Sequence, residues 1–123
     1  MKKALIVDDN EANRFVVKVL LERLGFQTDS QENGLMVIDI LQESFYDLVL
    51  LDISMPFLMG DELCVQINEA ISKDKLGVIV AYTAHALPKD KERLLSVGFD
   101  DLLIKPINVV ALKEKLKKFN LLD

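Results

Sequence analysis

The chain has 123 residues, half of them hydrophobic and 28% charged, with a net charge of −5 and a sequence pI of about 4.9. That is one domain's worth of chain, long enough to bury a core without a disulfide or structural metal. The acidic balance argues against direct binding to nucleic acid. The single cysteine, Cys64, excludes an intrachain disulfide and suits a reducing, cytoplasmic setting, and no apolar run approaches the length of a membrane span.

The predicted elements alternate in type. Residues 4–7 form a first short apolar run, which Asp8 and Asp9 end too soon for a signal peptide. A helix follows over 12–24, with Phe15, Val16, Val19, Leu20 and Leu24 on one stripe and Gly25 as its stop. Residues 26–30 are a weaker strand. Asn33 is placed to cap a second helix carrying Leu35, Val37, Ile38 and Leu41. Residues 47–51 are a strong apolar strand. The helix over 61–71 spaces Leu63, Ile67 and Ile71 by about one turn. A β-branched strand spans 78–82, and Pro88 suits the first turn of a helix with Leu94, Leu95 and Val97 beyond it. A short fifth strand, 102–104, precedes a last helix capped by Asn108 and carrying Leu112, Leu116 and Phe119. Lys113, Lys115, Lys117 and Lys118 lie toward its C-terminal end, where cations favour the helix dipole. Five β-α units with continuous apolar strands imply an α/β fold, a doubly wound five-stranded parallel sheet in the order 2-1-3-4-5. Its ligand site is expected beyond the carboxyl ends of the strands.

The polar residues of interest stand where the strands stop: Asp8 and Asp9 after the first, Asp52 after the third, Thr83 after the fourth and Lys105 after the fifth. In that strand order these ends share one edge. Clustered carboxylates repel unless a cation joins them, and their oxygens suit a hard divalent ion such as Mg2+. Asp52 has the chemistry of a nucleophile toward phosphorus. Lys105 would neutralise charge on a phosphoryl group, and Thr83 would donate a hydrogen bond to it. Each residue has a plainer reading when taken alone. Asp8 and Asp9 would cap the first helix, Asp52 would sit in a turn before Pro56 and Gly60, Thr83 would be a strand residue, and Lys105 a solvated charge. Their joint placement favours the site.

Four segments carry a resemblance. Residues 5–10 (LIVDDN), residues 50–56 (LLDISMP) followed by Gly60, residues 81–86 (AYTAHA) and the pair Lys105-Pro106 resemble, in order and separation, the signature segments of response-regulator receiver domains. The resemblance runs from about residue 3 to 119 and implies the flavodoxin-like (βα)5 fold. It further implies that Asp8, Asp9, Asp52 and the backbone carbonyl of Ser54 hold Mg2+, that Asp52 accepts a phosphoryl group from a phosphohistidine, that Lys105 contacts that group, and that the Lys105–Pro106 bond is cis. The implied partners are a histidine kinase or histidine phosphotransfer protein and a downstream protein. Ser54 and His85 occupy positions that tune phosphoryl lifetime in the family. The chain departs from the family at Leu102, where many members carry the aromatic residue that moves with the threonine. Any signal is therefore expected to run through Thr83, the loop after it and the helix after Pro88.

The residues 7–14 (VDDNEANR) are especially similar to receivers associated with hybrid histidine kinases. Residues 1–123 read as a single receiver domain with no output domain if Met1 and Asp123 are natural ends. The resemblance implies that it assists its own phosphorylation and dephosphorylation rather than acting as a turnover enzyme. The alternative on the same fold is an unphosphorylated interaction module, which would need a damaged site, and none of the five residues is missing. A haloacid-dehalogenase-type hydrolase would need an acid where Ser54 stands. A flavin or nucleotide carrier would need a Gly-rich loop where Asp8 and Asp9 stand. Cys64 reads as a buried thiol. Met55, Phe57 and Met59 read as either loop packing or a partner-facing group, and the lysines of the last helix as a solvated end.

Overall fold

Short runs apolar on both faces become strands covered on both sides, and this chain has three of them at its centre. The computed structural model of the protein describes residues 1–84 and 87–122. Its elements are β1 (Lys2–Val7), α1 (Glu11–Arg23), β2 (Phe26–Gln31), α2 (Val37–Glu43), β3 (Leu48–Asp52), α3 (Gly60–Ala70), β4 (Val78–Thr83), α4 (Pro88–Ser96), β5 (Asp101–Ile104) and α5 (Val109–Lys118), with a 3-10 turn at Lys73–Lys75. The five strands pair in parallel in the order β2-β1-β3-β4-β5, as the alternation predicts.

Strand alternation divides the core into two layers. Leu5, Val7, Val49, Leu51, Ile79, Ala81 and Leu102 pack with Val37 and Leu41 of α2, Leu63, Cys64 and Ile67 of α3, and Leu94 of α4. On the other face Ala4, Ile6, Leu48, Leu50, Val80, Tyr82 and Leu103 pack with Val17 and Leu21 of α1 and Leu112 and Leu116 of α5. Each fully buried leucine here contributes about 2 kcal/mol of hydrophobic stabilisation. Cys64 is buried, and burial first, then the charge of Asp100, pushes its thiol up to about 12, so it stays protonated.

Three helices differ from the sequence reading. In α1 the core side is Val17 and Leu21, with Leu20 and Leu24 half-buried, whereas Phe15 is 66% exposed and Val16 is also exposed. The hydrophobic count along the helix is high enough that two stripes fit a helical period, and packing against the sheet selects one of them. The second helix begins at Val37 after a non-capping Met36, because Asn33 spends its carbonyl oxygen on the Leu35 amide (2.9 Å) in the preceding turn; Leu35 is left exposed. Leu95 of α4 is likewise exposed.

Gly60 begins α3 in contact with the end of β3. Its amide donates to the Ile53 carbonyl (2.8 Å), and a Cβ there would sit 2.2 Å from the Asp52 carbonyl oxygen. The helix can approach the end of β3 this closely only with hydrogen in place of a side chain. Gly60→Ala is therefore expected to lower unfolding free energy by about 1–3 kcal/mol, read from the urea midpoint at unchanged m-value; an unchanged midpoint would show that α3 shifts without cost.

Candidate functional site

The carboxyl ends of β1, β3, β4 and β5 bring the site together. Val7 pairs with Leu51 and Asp52 pairs with Tyr82, so Asp8 emerges beside Asp52, and Thr83 lies one step beyond Tyr82. The Lys105 amide donates to the Thr83 carbonyl (2.8 Å), which sets the start of the β5–α5 connection against the end of β4. The Lys105–Pro106 peptide bond is cis.

Asp8, Asp52 and Thr83 are buried, while Asp9 is exposed at the mouth. One carboxylate oxygen from each of Asp8, Asp9 and Asp52 lies within 4.8 Å of the others. Lys105 Nζ stands 2.9 Å from Asp52 Oδ1 and 3.5 Å from Asp8 Oδ2, and 5.0 Å from the centroid of the Tyr82 ring. Asp8 Oδ2 is buried and has no hydrogen-bond partner among the described residues, so the Lys105 ammonium faces it only at ion-pair distance. A hard divalent cation of the Mg2+ type takes carboxylate oxygens and keeps waters in its shell. Three converging acidic oxygens, one of them buried and unbonded, fit such an ion.

Two opposed effects set the charge of the site. Burial pushes the Asp52 carboxyl up, the Lys105 hydrogen bond opposes this, and the Asp8 charge adds to the rise, leaving Asp52 at about 6. Burial pulls the Lys105 ammonium down, but Asp52 and Asp8 outweigh it and hold Lys105 above its ordinary value.

The other sequence-predicted residues fall at varied distances from this centre. Ser54 is at the exposed rim, its amide donating to Asp52 Oδ1 at 3.3 Å. His85 lies outside the described residues. Leu102 is buried in the core layer of α2, α3 and α4. Neither Asp8 nor Asp9 caps α1; the cap is Asn10, whose Oδ1 accepts from the Asn13 amide (2.9 Å). The β3–α3 loop divides its three apolar residues. Met55 is buried, whereas Phe57 is 80% exposed, with a φ of 70° in a tight turn closed by the Leu58 amide on the Pro56 carbonyl (2.8 Å). Met59 is exposed.

Several supporting residues gave no sequence signal. The ring of Tyr82 lies under Lys105, and Arg14 Nη1 donates to the Asp8 carbonyl at 2.7 Å. Asp101 is buried at the start of β5 and accepts from Lys115 (3.1 Å) and Lys118 (2.8 Å). Burial pushes its carboxyl up, but the hydrogen bonds from Lys118, the Leu102 amide and Lys115 prevail and hold it below the usual range. Two of the four α5 lysines are thus committed to holding α5 on β5. An Asp at the head of an apolar strand, 14 and 17 residues before two lysines, is the only trace of this in the sequence.

Comparison with known proteins agrees with this geometry. The profile of the response regulator receiver domain matches residues 4–117. The chain belongs to the response regulator receiver domain family. The aerobic respiration control sensor protein ArcB of Escherichia coli K12 is 38% identical over 115 residues, which cover 94% of this chain and 15% of ArcB. The chain thus spans about a seventh of the length of that relative. The receiver domain of the sensor histidine kinase PA1611 of Pseudomonas aeruginosa, solved with a magnesium ion coordinated in its active-site cleft, is 30% identical with a TM-score of 0.84, covering 96% of each chain. The receiver domain of Ssk1 of Saccharomyces cerevisiae, solved with the histidine phosphotransfer protein Ypd1, is 28% identical with a TM-score of 0.87, covering 96% of this chain and 88% of that one. Among the described residues no helix of this receiver domain is long and apolar enough to cross a membrane.

A raised folded-state pKa means that Asp52 stabilises the fold below about pH 4 and loses that contribution as pH rises through about 6. Asp101 works in the opposite sense, but its window lies below the ordinary carboxylate range, and that of Lys105 lies above the ordinary lysine range. In metal-free protein, lowering pH from 7.5 to 5 should therefore add about 1–3 kcal/mol through Asp52. Denaturant melts of the native domain and Asp52→Asn across that range check this; parallel pH profiles for the two would refute the assignment.

Proposed function

We propose that this receiver domain accepts a phosphoryl group from a phosphohistidine onto Asp52 and signals by changing its protein contacts. The observation that carries the reading is the position of the Lys105 ammonium between Asp52 and Asp8, 2.9 and 3.5 Å away, inside a cluster of three acidic oxygens. An Asp52 oxygen forms the new bond to phosphorus as the P–N bond breaks, and the departing imidazole nitrogen keeps that electron pair. Asp52 at about 6 is mostly ionised at neutral pH and so available as nucleophile. Lys105 is placed to neutralise the phosphoryl oxygens, and Thr83, at the end of the neighbouring strand, to donate to one of them. In this reading Asp8, Asp9, Asp52 and the Ser54 carbonyl hold Mg2+, which supplies charge neutralisation at the transferring group. The orphaned Asp8 oxygen and the magnesium in the PA1611 cleft support that assignment.

The donor is a histidine kinase or a histidine phosphotransfer protein, a reading that the Ssk1–Ypd1 pair supports. The chain takes the group on its own carboxylate and is not a turnover enzyme. We read residues 1–123 as one receiver unit in a cytoplasmic setting, to which the buried, protonated Cys64 is suited. Ser54 and His85 tune the phosphoryl lifetime, Ser54 from the exposed rim beside the Asp52 carboxylate.

Incubation with Mg2+ and acetyl phosphate should add the mass of one phosphoryl group to the native domain and none to Asp52→Asn. Equal labelling of both would refute Asp52 as acceptor, and no labelling of the native domain would favour an unphosphorylated interaction module.

The packing of Leu102 also supports a reading of the output. Leu102 is held in the core layer that includes Leu94 of α4, with no aromatic ring to swing at that position. We therefore assign the signal to Thr83, the loop after it and α4. A beryllofluoride-loaded sample should show its largest amide shifts between residues 83 and 97; shifts confined to the acidic cluster would contradict this route.

A further inference from the structure

The acidic pair Asp8-Asp9 is held from an unexpected side. Asp8 has four polar groups to satisfy. Its amide donates to the Gln31 carbonyl at 3.1 Å, and its Oδ1 accepts the Asn10 amide at 2.8 Å. Its carbonyl accepts Arg14 Nη1 at 2.7 Å. Only Oδ2 is left without a hydrogen bond among the described residues, and it faces Lys105 and the acidic cluster. The Arg14 contact is short and charge-assisted, of the stronger class of hydrogen bonds. It acts on the carbonyl of the Asp8–Asp9 peptide. That peptide plane is rigid, so fixing its oxygen fixes the direction in which the chain enters Asp9. Arg14 sits in the first turn of α1, and the Arg14 amide donates back to the Asn10 carbonyl at 3.0 Å. The helix cap and the acid loop are thus tied together at both ends of one residue.

We propose that Arg14 is a positioning residue that sets divalent-cation affinity by clamping the Asp8–Asp9 peptide plane, so that both carboxylates converge without rearrangement. The inference rests on the assignment of Asp8, Asp9 and Asp52 as metal ligands. The sign of the effect separates clamping from bulk charge. A cation near the site repels a metal ion, so removing the Arg14 charge would tighten Mg2+ binding if charge alone mattered. Losing the clamp weakens it, because the loop must then be ordered during binding.

The test is Mg2+ titration by calorimetry of the native domain, Arg14→Met and Lys18→Met, at a temperature where all are folded. Lys18 is an exposed α1 lysine, so its variant loses the same charge and no contact to Asp8. Arg14→Met should raise the dissociation constant by about tenfold, as outer-shell changes at metal sites do. Lys18→Met should leave it unchanged or slightly lower. Exchange of the Asn10 amide, bonded to Asp8 Oδ1, should quicken in Arg14→Met alone. If Arg14→Met does not fold, the shorter neutral Arg14→Gln is read by the same criterion. Equal or tighter binding by the Arg14 variant, or equal weakening by both variants, would overturn the clamp. Absence of Mg2+ binding in the native domain would instead overturn the metal assignment beneath it.

Discussion

The molecule is organised around an electrostatic conflict, two buried carboxylates held beside each other with one ammonium between them. Asp8 is 1% and Asp52 2% exposed, and taking like charges out of water together is strongly unfavourable. Lys105 offsets part of this, yet burial still pushes Asp52 up to about 6. A site left in this condition gains by accepting positive charge, as a divalent metal ion would supply. The same conflict that destabilises the resting domain is what makes the carboxylate cluster chemically useful.

Holding such a cluster requires backbone that cannot relax away from it. The parallel sheet provides this, because β1, β3 and β4 are covered on both faces and carry the acids and Thr83 on their ends. Closer supports then act on individual groups. Gly60 lets α3 begin against the Asp52 carbonyl, Tyr82 offers its ring face to Lys105, and Asp101 fastens α5 to β5 through Lys115 and Lys118. Arg14 and Asn10 do the same for the acidic loop. None of these residues reacts. Together they keep strand ends registered while repulsion between like charges would separate them.

The periphery is organised differently. Phe15 and Val16 of α1, Leu35 and Met36 before α2, and Phe57 after β3 are all exposed, and all follow the carboxyl ends of strands. Apolar groups in these positions are absent from both core layers, so they contribute little to folding. The core tolerates their exposure because each strand is already covered by a helix stripe of its own.

Much of this was legible in the sequence. Continuous apolar strands alternating with amphipathic helices specify a parallel sheet, and acids, an alcohol and a lysine at four strand ends specify one edge of it. Those inferences hold because strand period and strand order leave few alternatives. The sequence by itself also determined where α5 is capped, since Asn108 has its amide targets two and three residues away. What it did not determine depends on contacts distant along the chain. Which stripe of α1 faces the sheet, where α2 starts, that Asp101 meets Lys115 and Lys118, and that Arg14 reaches back to the Asp8 carbonyl are settled only when elements pack. Periodicity leaves a helix with more than one apolar face to offer, and a polar side chain has many partners within reach until burial removes water as one of them. Tertiary structure makes that choice because a buried donor or acceptor must find its partner inside the protein.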